Sequence, residues 1–379
     1  PAAVVQPAAP ASVTKSLTRA SGWLAANPAS VDDGYDAEIT AALGLAVADT
    51  SRTAATLRSR VAALRADAAA ESGASIGTAL RLAILTEVVR ESPRNFGGTD
   101  LVATIKAGID GTGQVGGFPS AYAQALAIIA LKRAGEPVPG TVLTTLLSFQ
   151  DATSGAFGYE WPVGTFNADP DSTALAIQAL DLIRGSRKAT AQAAIARAVA
   201  WAKANQNPAG YWAAYSPVDS TALMATALKQ VEAGYGRARS WLLGQQLSDG
   251  GFPAELDGTD ANLVATATAT FLLKGTSMAK ASYRLKGYTS SPRPWISGTR
   301  RVGELLTAKP GTWAPKPTLA YQWFRNGHRI AGATAKTYLL TTLDAGKKIR
   351  VRVKADGIGL KTRFEYSRYT SPVRKALAG

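Results

Sequence analysis

The chain has 379 residues, 46% hydrophobic and 18% charged, so it can form a packed core and is too apolar for a disordered protein. It contains no cysteine and one histidine, His328, which excludes disulfides, thiolate nucleophiles and thiolate-bound zinc. Any metal site would have to use carboxylates and water. We predict neither a metal nor a cofactor.

The net charge of +15 is unevenly distributed along the chain. Residues 1–280 hold 22 Lys/Arg against 23 Asp/Glu, whereas residues 281–379 hold 20 against 4. At roughly 150 residues per domain, this split predicts two physically different domains. It also assigns any electrostatic partner to the second domain.

The first residues are rich in Pro and Ala, and we predict an unstructured leader over residues 1–14. No run of 18 uninterrupted apolar residues occurs, so no transmembrane segment is expected. The leader and the lack of cysteine are typical of a secreted or cell-surface bacterial protein whose signal peptide has been removed.

Residues 15–274 contain an internal repeat of Ala-rich, helix-favouring stretches. Their starts are 38, 46, 49, 48 and 43 residues apart. A second helical segment and a Gly-aromatic turn precede most of them, so each unit is a helical hairpin. The stretches are EITAALGLAV from Glu38, IGTALRLAIL from Ile76, YAQALAIIAL from Tyr122, DSTALAIQAL from Asp171, DSTALMATAL from Asp219 and NLVATATATF from Asn262.

A single helical hairpin cannot bury its own apolar stripe, so the six hairpins must stack. They could close into a ring with the Ala-rich helices as its inner layer, because small side chains allow helices to crowd around an axis. An open, curved solenoid is the alternative.

Two hairpins carry a motif found in a known superfamily. RAVAWAKANQNPAGYW (197–212) and RARSWLLGQQLSDGGF (237–252) resemble the Gln-Trp repeats of squalene cyclases and protein prenyltransferases. This resemblance implies an all-α (α/α)6 toroid over residues 15–274. It also implies structural roles for Gln206, Trp212, Gln246 and Phe252.

The resemblance can be tested against the chemistry of the superfamily. Zinc-dependent prenyl transfer needs Cys and His, and a complement-type thioester needs Cys, so both are excluded. Class II terpene cyclases use a D-x-D-D-T-A motif whose middle Asp protonates an alkene. Here the sequence is DPDSTA (169–174), so Asp171 and Asp169 are candidate catalytic residues, with Ser172 in place of the last acid.

The same Asp-Ser-Thr begins the next hairpin at Asp219. A pattern repeated at equivalent positions favours a structural explanation, in which an Asp or Ser caps the helix that follows. Asp171 is therefore predicted either as a helix cap or as an acid.

Aromatic and acidic residues concentrate in the turns before the Ala-rich helices, as small-molecule pockets require. The favoured function is noncatalytic binding of an apolar or carbohydrate ligand. The alternatives are a class II terpene cyclase and a carboxylate glycoside hydrolase or lyase, or aromatic side chains that merely fill the ring. The candidate ligand-binding residues are Asp219, Tyr122, Tyr159, Trp161, Phe166, Trp212 and Tyr215.

Residues 275–296 are predicted to form a linker. After it, apolar and polar residues alternate, as in β-strands. Asn326-Gly327 predicts a hairpin turn, and Arg350, Arg352 and Lys354 would share the outer face of a half-buried strand. We expect these three residues to contact an anionic cell-envelope polymer, or simply to be solvated. The sequence shows no interleaving of aromatic and basic residues of the kind that binds single-stranded nucleic acid, so no specific nucleic acid is predicted.

Residues 297–379 include RVGELLTAKPGTW, YQWFRNGHRIAGAT and DAGKKIRVRV. These stretches resemble the immunoglobulin-like repeats of bacterial surface proteins, and the resemblance implies an all-β sandwich that serves for envelope attachment. The complete prediction is a multidomain protein with a toroid followed by a basic immunoglobulin-like module.

Overall fold

The computed structural model describes residues 12–30, 33–213 and 215–376. The chain divides into two compact units, Pro1–Tyr283 and Arg284–Gly379, called here the first and second units. Most of the predicted leader lies outside the described residues. Its last two positions, Val13 and Thr14, belong to a helix, so residues 1–14 were too long for the leader.

The described part of the first unit contains twelve α-helices and one short hairpin of strands. The hairpin, β1 (Gly158–Glu160) and β2 (Phe166–Ala168), was not predicted. The helices are α1 (Val13–Ala26), α2 (Tyr35–Ala48), α3 (Ala54–Ala74), α4 (Ile76–Val89), α5 (Leu101–Ala107), α6 (Ala121–Arg133), α7 (Gly140–Ser148), α8 (Pro170–Leu180), α9 (Lys188–Ala204), α10 (Pro217–Gln230), α11 (Ala238–Gly244) and α12 (Leu263–Lys274).

The even-numbered helices form a closed inner ring. Each packs on the next, and α12 packs on α2. Small residues permit the closure, because a Cβ at Gly44 would lie 2.8 Å from Ala267 Cα. Thr270 Oγ1 donates to Gly44 O at 3.2 Å across the same contact. The helical toroid is therefore confirmed, and the open solenoid is wrong.

The odd-numbered helices form an outer layer, and glutamines join successive hairpins. Each glutamine side-chain amide donates to a glycine carbonyl in its own turn and to a carbonyl of the next hairpin, and so links the two hairpins. Gln150 does this as well, a third copy that was not recognised. The bonds are Gln150 to Gly155 O (2.9 Å) and Ala194 O (2.8 Å), Gln206 to Gly210 O (3.0 Å) and Tyr235 O (3.2 Å), and Gln246 to Gly250 O (2.8 Å) and Ser16 O (3.0 Å).

The end of the first unit differs from the prediction. The residues after α12 were assigned to a linker, but the Arg133 side chain donates to the carbonyls of Met278, Ala279 and Ala281 at 3.1, 2.9 and 2.7 Å. Tyr283 N also donates to Val88 O at 3.0 Å. The first nine residues of the predicted linker, 275–283, therefore belong to the toroid unit.

The second unit contains two antiparallel sheets, with strand orders β3-β4-β7 and β6-β5-β8-β9. Asn326 and Gly327, both at positive φ, form the predicted turn between β5 and β6. The strands are β3 (Trp295–Ser297), β4 (Leu305–Lys309), β5 (Thr318–Arg325), β6 (His328–Arg329), β7 (Thr337–Leu339), β8 (Ile349–Asp356) and β9 (Arg363–Tyr366).

Residues from both sheets bury one hydrophobic core around Trp323. The Trp323 indole donates to Ala335 O at 2.9 Å and stacks on Tyr338. In β8 buried and half-buried residues alternate, as predicted. This arrangement establishes a small two-sheet β unit.

Candidate functional site

Polar side chains converge where the inner helices begin, an end of the ring called here the mouth. Each inner helix contributes one from its first two turns: Asp36, Arg81, Tyr122, Asp171, Asp219 and Thr268. A cavity of about 220 Å³ opens among them, and all of these residues except Asp171 line it, together with Asp33, Ala37, Thr40, Leu223, Val264 and Met278. Its lining therefore combines polar and apolar side chains.

Asp36 and Arg81 form a fixed ion pair on one side of the mouth. Arg81 Nη1 lies 2.9 Å from Asp36 Oδ2, and Thr78 Oγ1 donates to Asp36 Oδ1 at 2.7 Å. The Arg81 guanidinium also lies 5.8 Å from the centre of the Tyr122 ring. Sequence reasoning missed Arg81, which supplies the one positive charge among these six side chains.

Asp171 does not cap its helix. The carboxylate of Asp169 accepts from the backbone N–H of Ser172 at 2.9 Å and of Asp171 at 3.4 Å. In α10 the cap is Ser216, which accepts from Asp219 N at 3.4 Å. The cap interpretation of Asp171 is therefore wrong, and Asp169 has the structural role.

The repeated Asp-Ser-Thr is explained by its threonine. Thr173 Oγ1 accepts from Phe157 N at 3.0 Å, and Thr221 Oγ1 accepts from Trp212 N at 3.1 Å. The threonine thereby fixes the aromatic end of the preceding turn to the inner helix. The aspartate two positions earlier has no part in that contact.

Asp171 and Asp219 both have unsatisfied carboxylate oxygens. Their Oδ1 atoms are shielded from solvent and accept no hydrogen bond from the part of the chain that the structure describes. Burial raises the pKa of Asp171 well above its ordinary value, and the charges of Asp219 and Asp169 raise it further. Asp171 therefore holds its proton to a higher pH than an ordinary aspartate does.

The pKa of Asp219 is also raised, to about 6, chiefly by burial. Contact with Thr268 and the positive charge of Arg81 oppose this increase. Because the two helices are neighbours, the two carboxyl groups form an acid pair, and the charge of Asp219 adds to the effect of burial in raising the pKa of Asp171.

Exposed aromatic side chains lie in the turns that precede two of the inner helices. Trp161 is 66% exposed and Tyr215 is 96% exposed, while Phe166 is partly exposed. Tyr159 pairs with Ser120, the cap of α6, which places the β1–β2 hairpin beside Tyr122. Phe118, which was not predicted, lies 6.0 Å from Tyr159 and 6.4 Å from Trp161 between ring centres.

Trp212 is not one of these exposed aromatic side chains. It is 1% exposed, and its indole donates to Ala202 O at 2.7 Å inside the hairpin. Its assignment as a ligand-binding residue is therefore wrong, whereas the structural role implied by the Gln-Trp motif fits.

The outer face of β8 is not simply a solvated basic surface. The Arg350 guanidinium lies 4.7 and 4.9 Å from the ring centres of Tyr366 and Tyr369, and Arg352 lies 5.0 Å from that of Phe364. Aromatic and basic side chains therefore interleave here, contrary to the prediction. Lys354 Nζ pairs with Asp356 at 2.6 Å, which makes it a poor anion contact.

In the described residues no helix is long and apolar enough to cross a membrane. No family model and no curated protein matches the sequence.

Solved structures do resemble the chain. A variant of the type II terpene cyclase MstE from Scytonema, bound to geranylgeranyl dihydroxybenzoate, aligns with TM-score 0.52 and 17% identity, covering 70% of this chain and 97% of that one. A possible GH105 family member from Salmonella enterica serovar Paratyphi A aligns with TM-score 0.50 and 14% identity, covering 71% and 95%. The GH76A α-1,6-mannanase from a Salegentibacter species aligns with TM-score 0.50 and 10% identity, covering 71% and 100%. These similarities establish a helical toroid fold shared with terpene cyclases and with toroidal glycosidases.

Proposed function

We propose that the first unit binds a carbohydrate ligand at the mouth of the toroid. The observation that carries this proposal is the unsatisfied carboxyl group of Asp219, which lines the cavity beside the Asp36–Arg81 ion pair and is paired with Asp171 on the neighbouring helix. Hydroxyl groups of a sugar can donate to and accept from these side chains. The exposed rings of Trp161 and Tyr215 supply flat apolar surfaces against which a sugar can pack.

Cleavage of a glycosidic bond is the second candidate function. It is favoured by the acid pair itself, because burial raises the pKa of both Asp171 and Asp219, and a carboxyl group with a raised pKa can act as a general acid. Glycosidases use two carboxyl groups, one of which has a raised pKa and serves as the acid. Toroidal glycosidases among the similar structures support this candidate at the level of fold.

The terpene cyclase alternative has less support. The cavity of about 220 Å³ is smaller than the roughly 300–1,000 Å³ that drug-sized ligands occupy, and several ionisable side chains line it. Ser172 stands in place of the last acid of the cyclase motif, and its hydroxyl donates to Asp169. A folded polyprenyl chain therefore suits this site less well than a sugar ring.

An oligosaccharide binding screen with the full chain tests the proposal. We expect Asp219→Asn to weaken binding about 10-fold, because a charge-assisted hydrogen bond is lost. Asp67→Asn, a change at an exposed position of the outer helix α3, is the control and should change affinity less than twofold.

Release of reducing ends would distinguish cleavage from binding alone. Equal affinity in the parent chain and both variants would contradict the proposed site. Formation of a cyclised product from polyprenyl substrates, lost in Asp171→Asn, would favour the cyclase instead.

We further propose that the second unit is an immunoglobulin-like module that holds the protein to an anionic envelope polymer at the cell surface. The supporting observations are its two antiparallel sheets around Trp323 and its excess of basic residues. The motifs shared with bacterial surface repeats support it at the level of sequence.

A further inference from the structure

A basic cleft lies in the second unit, and none of its lining residues belongs to β8, the strand that the sequence analysis singled out. Its volume is about 330 Å³, and it contains three arginines, Arg293, Arg300 and Arg368. The aromatic side chains of Trp295 and Tyr369 line it as well. Residues just before and within β3 thus meet the segment that follows β9, a juxtaposition the sequence gives no means to foresee.

The three arginines have no carboxylate partner within residues 284–376. The acids of the second unit are used elsewhere: Asp344 pairs with Arg325, Asp356 with Lys354 and Glu365 with Arg363. The remaining acid, Glu304, is exposed and does not line the cleft. Three positive charges therefore share one concave surface, which favours a negatively charged ligand.

The positions of the cleft side chains are partly fixed. Arg300 Nη2 donates to Ile296 O at 3.4 Å, and the ring of Tyr369 packs against the Arg350 guanidinium. The Trp295 side chain remains 57% exposed. The cleft therefore offers guanidinium donors beside accessible aromatic surface, which suits an anionic group attached to a ring.

We infer that this cleft binds a carboxylate- or phosphate-bearing sugar unit of an anionic polymer. The arginines would bind the acidic group, and Trp295 and Tyr369 would pack against the sugar ring. This inference rests on the attachment role proposed above and assigns that role to Arg293, Arg300 and Arg368 rather than to Arg350, Arg352 and Lys354.

The test measures binding of the full chain to polygalacturonate and to a phosphate-bearing mannan. Replacing Arg293, Arg300 and Arg368 together by Gln should weaken binding about 100-fold or more, because charge-assisted hydrogen bonds are lost. The control replaces exposed Lys316, Lys336 and Lys347 by Gln, which removes the same charge and should cost less than about threefold because distant charges are screened by salt.

Trp295→Ala separates ring recognition from simple charge attraction. It should weaken binding of the sugar polymers about fivefold and leave binding of inorganic polyphosphate, which has no rings, unchanged. The polymer that binds more tightly identifies the acidic group as carboxylate or phosphate. Circular dichroism checks folding, and Arg368→Gln alone replaces the triple variant if that variant does not fold.

The outcomes distinguish the cleft from the attachment role. If the parent chain binds neither sugar polymer, both are overturned. If both triple variants lose affinity equally, or if only Arg350→Gln and Arg352→Gln lose it, attachment stands and the cleft is overturned. Tighter binding of oligothymidylate than of either sugar polymer would overturn the choice of ligand.

Discussion

The first and second units both bury aspartates, but they surround them differently. Asp344 in the second unit is 0% exposed and accepts hydrogen bonds from Arg325 (2.6 Å), Tyr338 (2.9 Å) and Thr341 N (2.7 Å). Burial would raise the pKa of Asp344, but these bonds lower it below its ordinary value. Asp171 and Asp219 lack such partners in the described residues, and their pKa values are raised. A satisfied buried acid stabilises the fold, whereas the unsatisfied pair in the first unit is the feature on which the proposed ligand site rests.

The largest loss of stability is expected on replacing Asp344, the buried aspartate with a full set of hydrogen-bond partners. Asp344→Ala should destabilise the second unit by about 3–5 kcal/mol, because Arg325 loses its partner. Glu365→Ala, which removes the carboxylate of the exposed Arg363–Glu365 pair, should cost about 0–1 kcal/mol. Hydrogen exchange of the second unit measures both. Equal losses of stability in the two variants would show that the hydrogen bonds of Asp344 are not what stabilises the second unit.

A smaller effect is expected at the closure of the ring. Gly44→Ala should destabilise the first unit by about 1–3 kcal/mol, since the new Cβ would overlap Ala267. Gly22→Ala, in the exposed middle of α1 with no atom within 4 Å of the new Cβ, should instead stabilise it by about 0.5–1 kcal/mol. Urea unfolding followed in the first unit distinguishes the two. Stabilisation by both changes would contradict the close contact of α2 with α12.

The smallest expected effect is a gain in stability, on replacing Asp171, whereas replacing Asp344 causes a loss. Because the pKa of Asp171 is raised on folding, the folded state keeps a proton that the unfolded state loses above about pH 4. The stability of the first unit should therefore fall as the pH rises above about 4. Asp171→Asn should reduce this slope and stabilise the unit by roughly 1–2 kcal/mol at pH 8.

Thermal unfolding at a series of pH values measures this slope. Asp67→Asn, on an exposed outer face, should leave it unchanged. A slope identical in the parent chain and in Asp171→Asn would show that Asp171 is ionised in the folded protein at neutral pH.

The sequence predicts the toroid well because its inner helices share one physical requirement. A helix packed on all sides needs small apolar residues throughout, and the stretches from Ile76 and from Asn262 coincide with the beginnings of α4 and α12. The Asn326-Gly327 turn was equally predictable, since both residues need positive φ.

The sites were harder to predict because they depend on which distant segments become neighbours in the folded chain. Arg81 and Asp36 are 45 residues apart, so their pairing follows only when α2 and α4 are neighbours. Trp212 and Tyr215 lie in the same turn, yet one is buried and the other exposed. The cleft containing Arg293 and Arg368 likewise brings together distant parts of the second unit. Local composition carries none of this information.

The first hairpin completes the toroid through its contacts with the last turn. Arg19 Nη2 donates to Leu247 O at 2.6 Å, and the Trp23 indole donates to Asp249 at 2.9 Å, across 228 and 226 residues of chain. During synthesis α1 therefore leaves the ribosome long before its partner exists. The part of α1 that contacts the last turn stays exposed until the sixth hairpin has been synthesised, so joining these two hairpins is a non-local folding step.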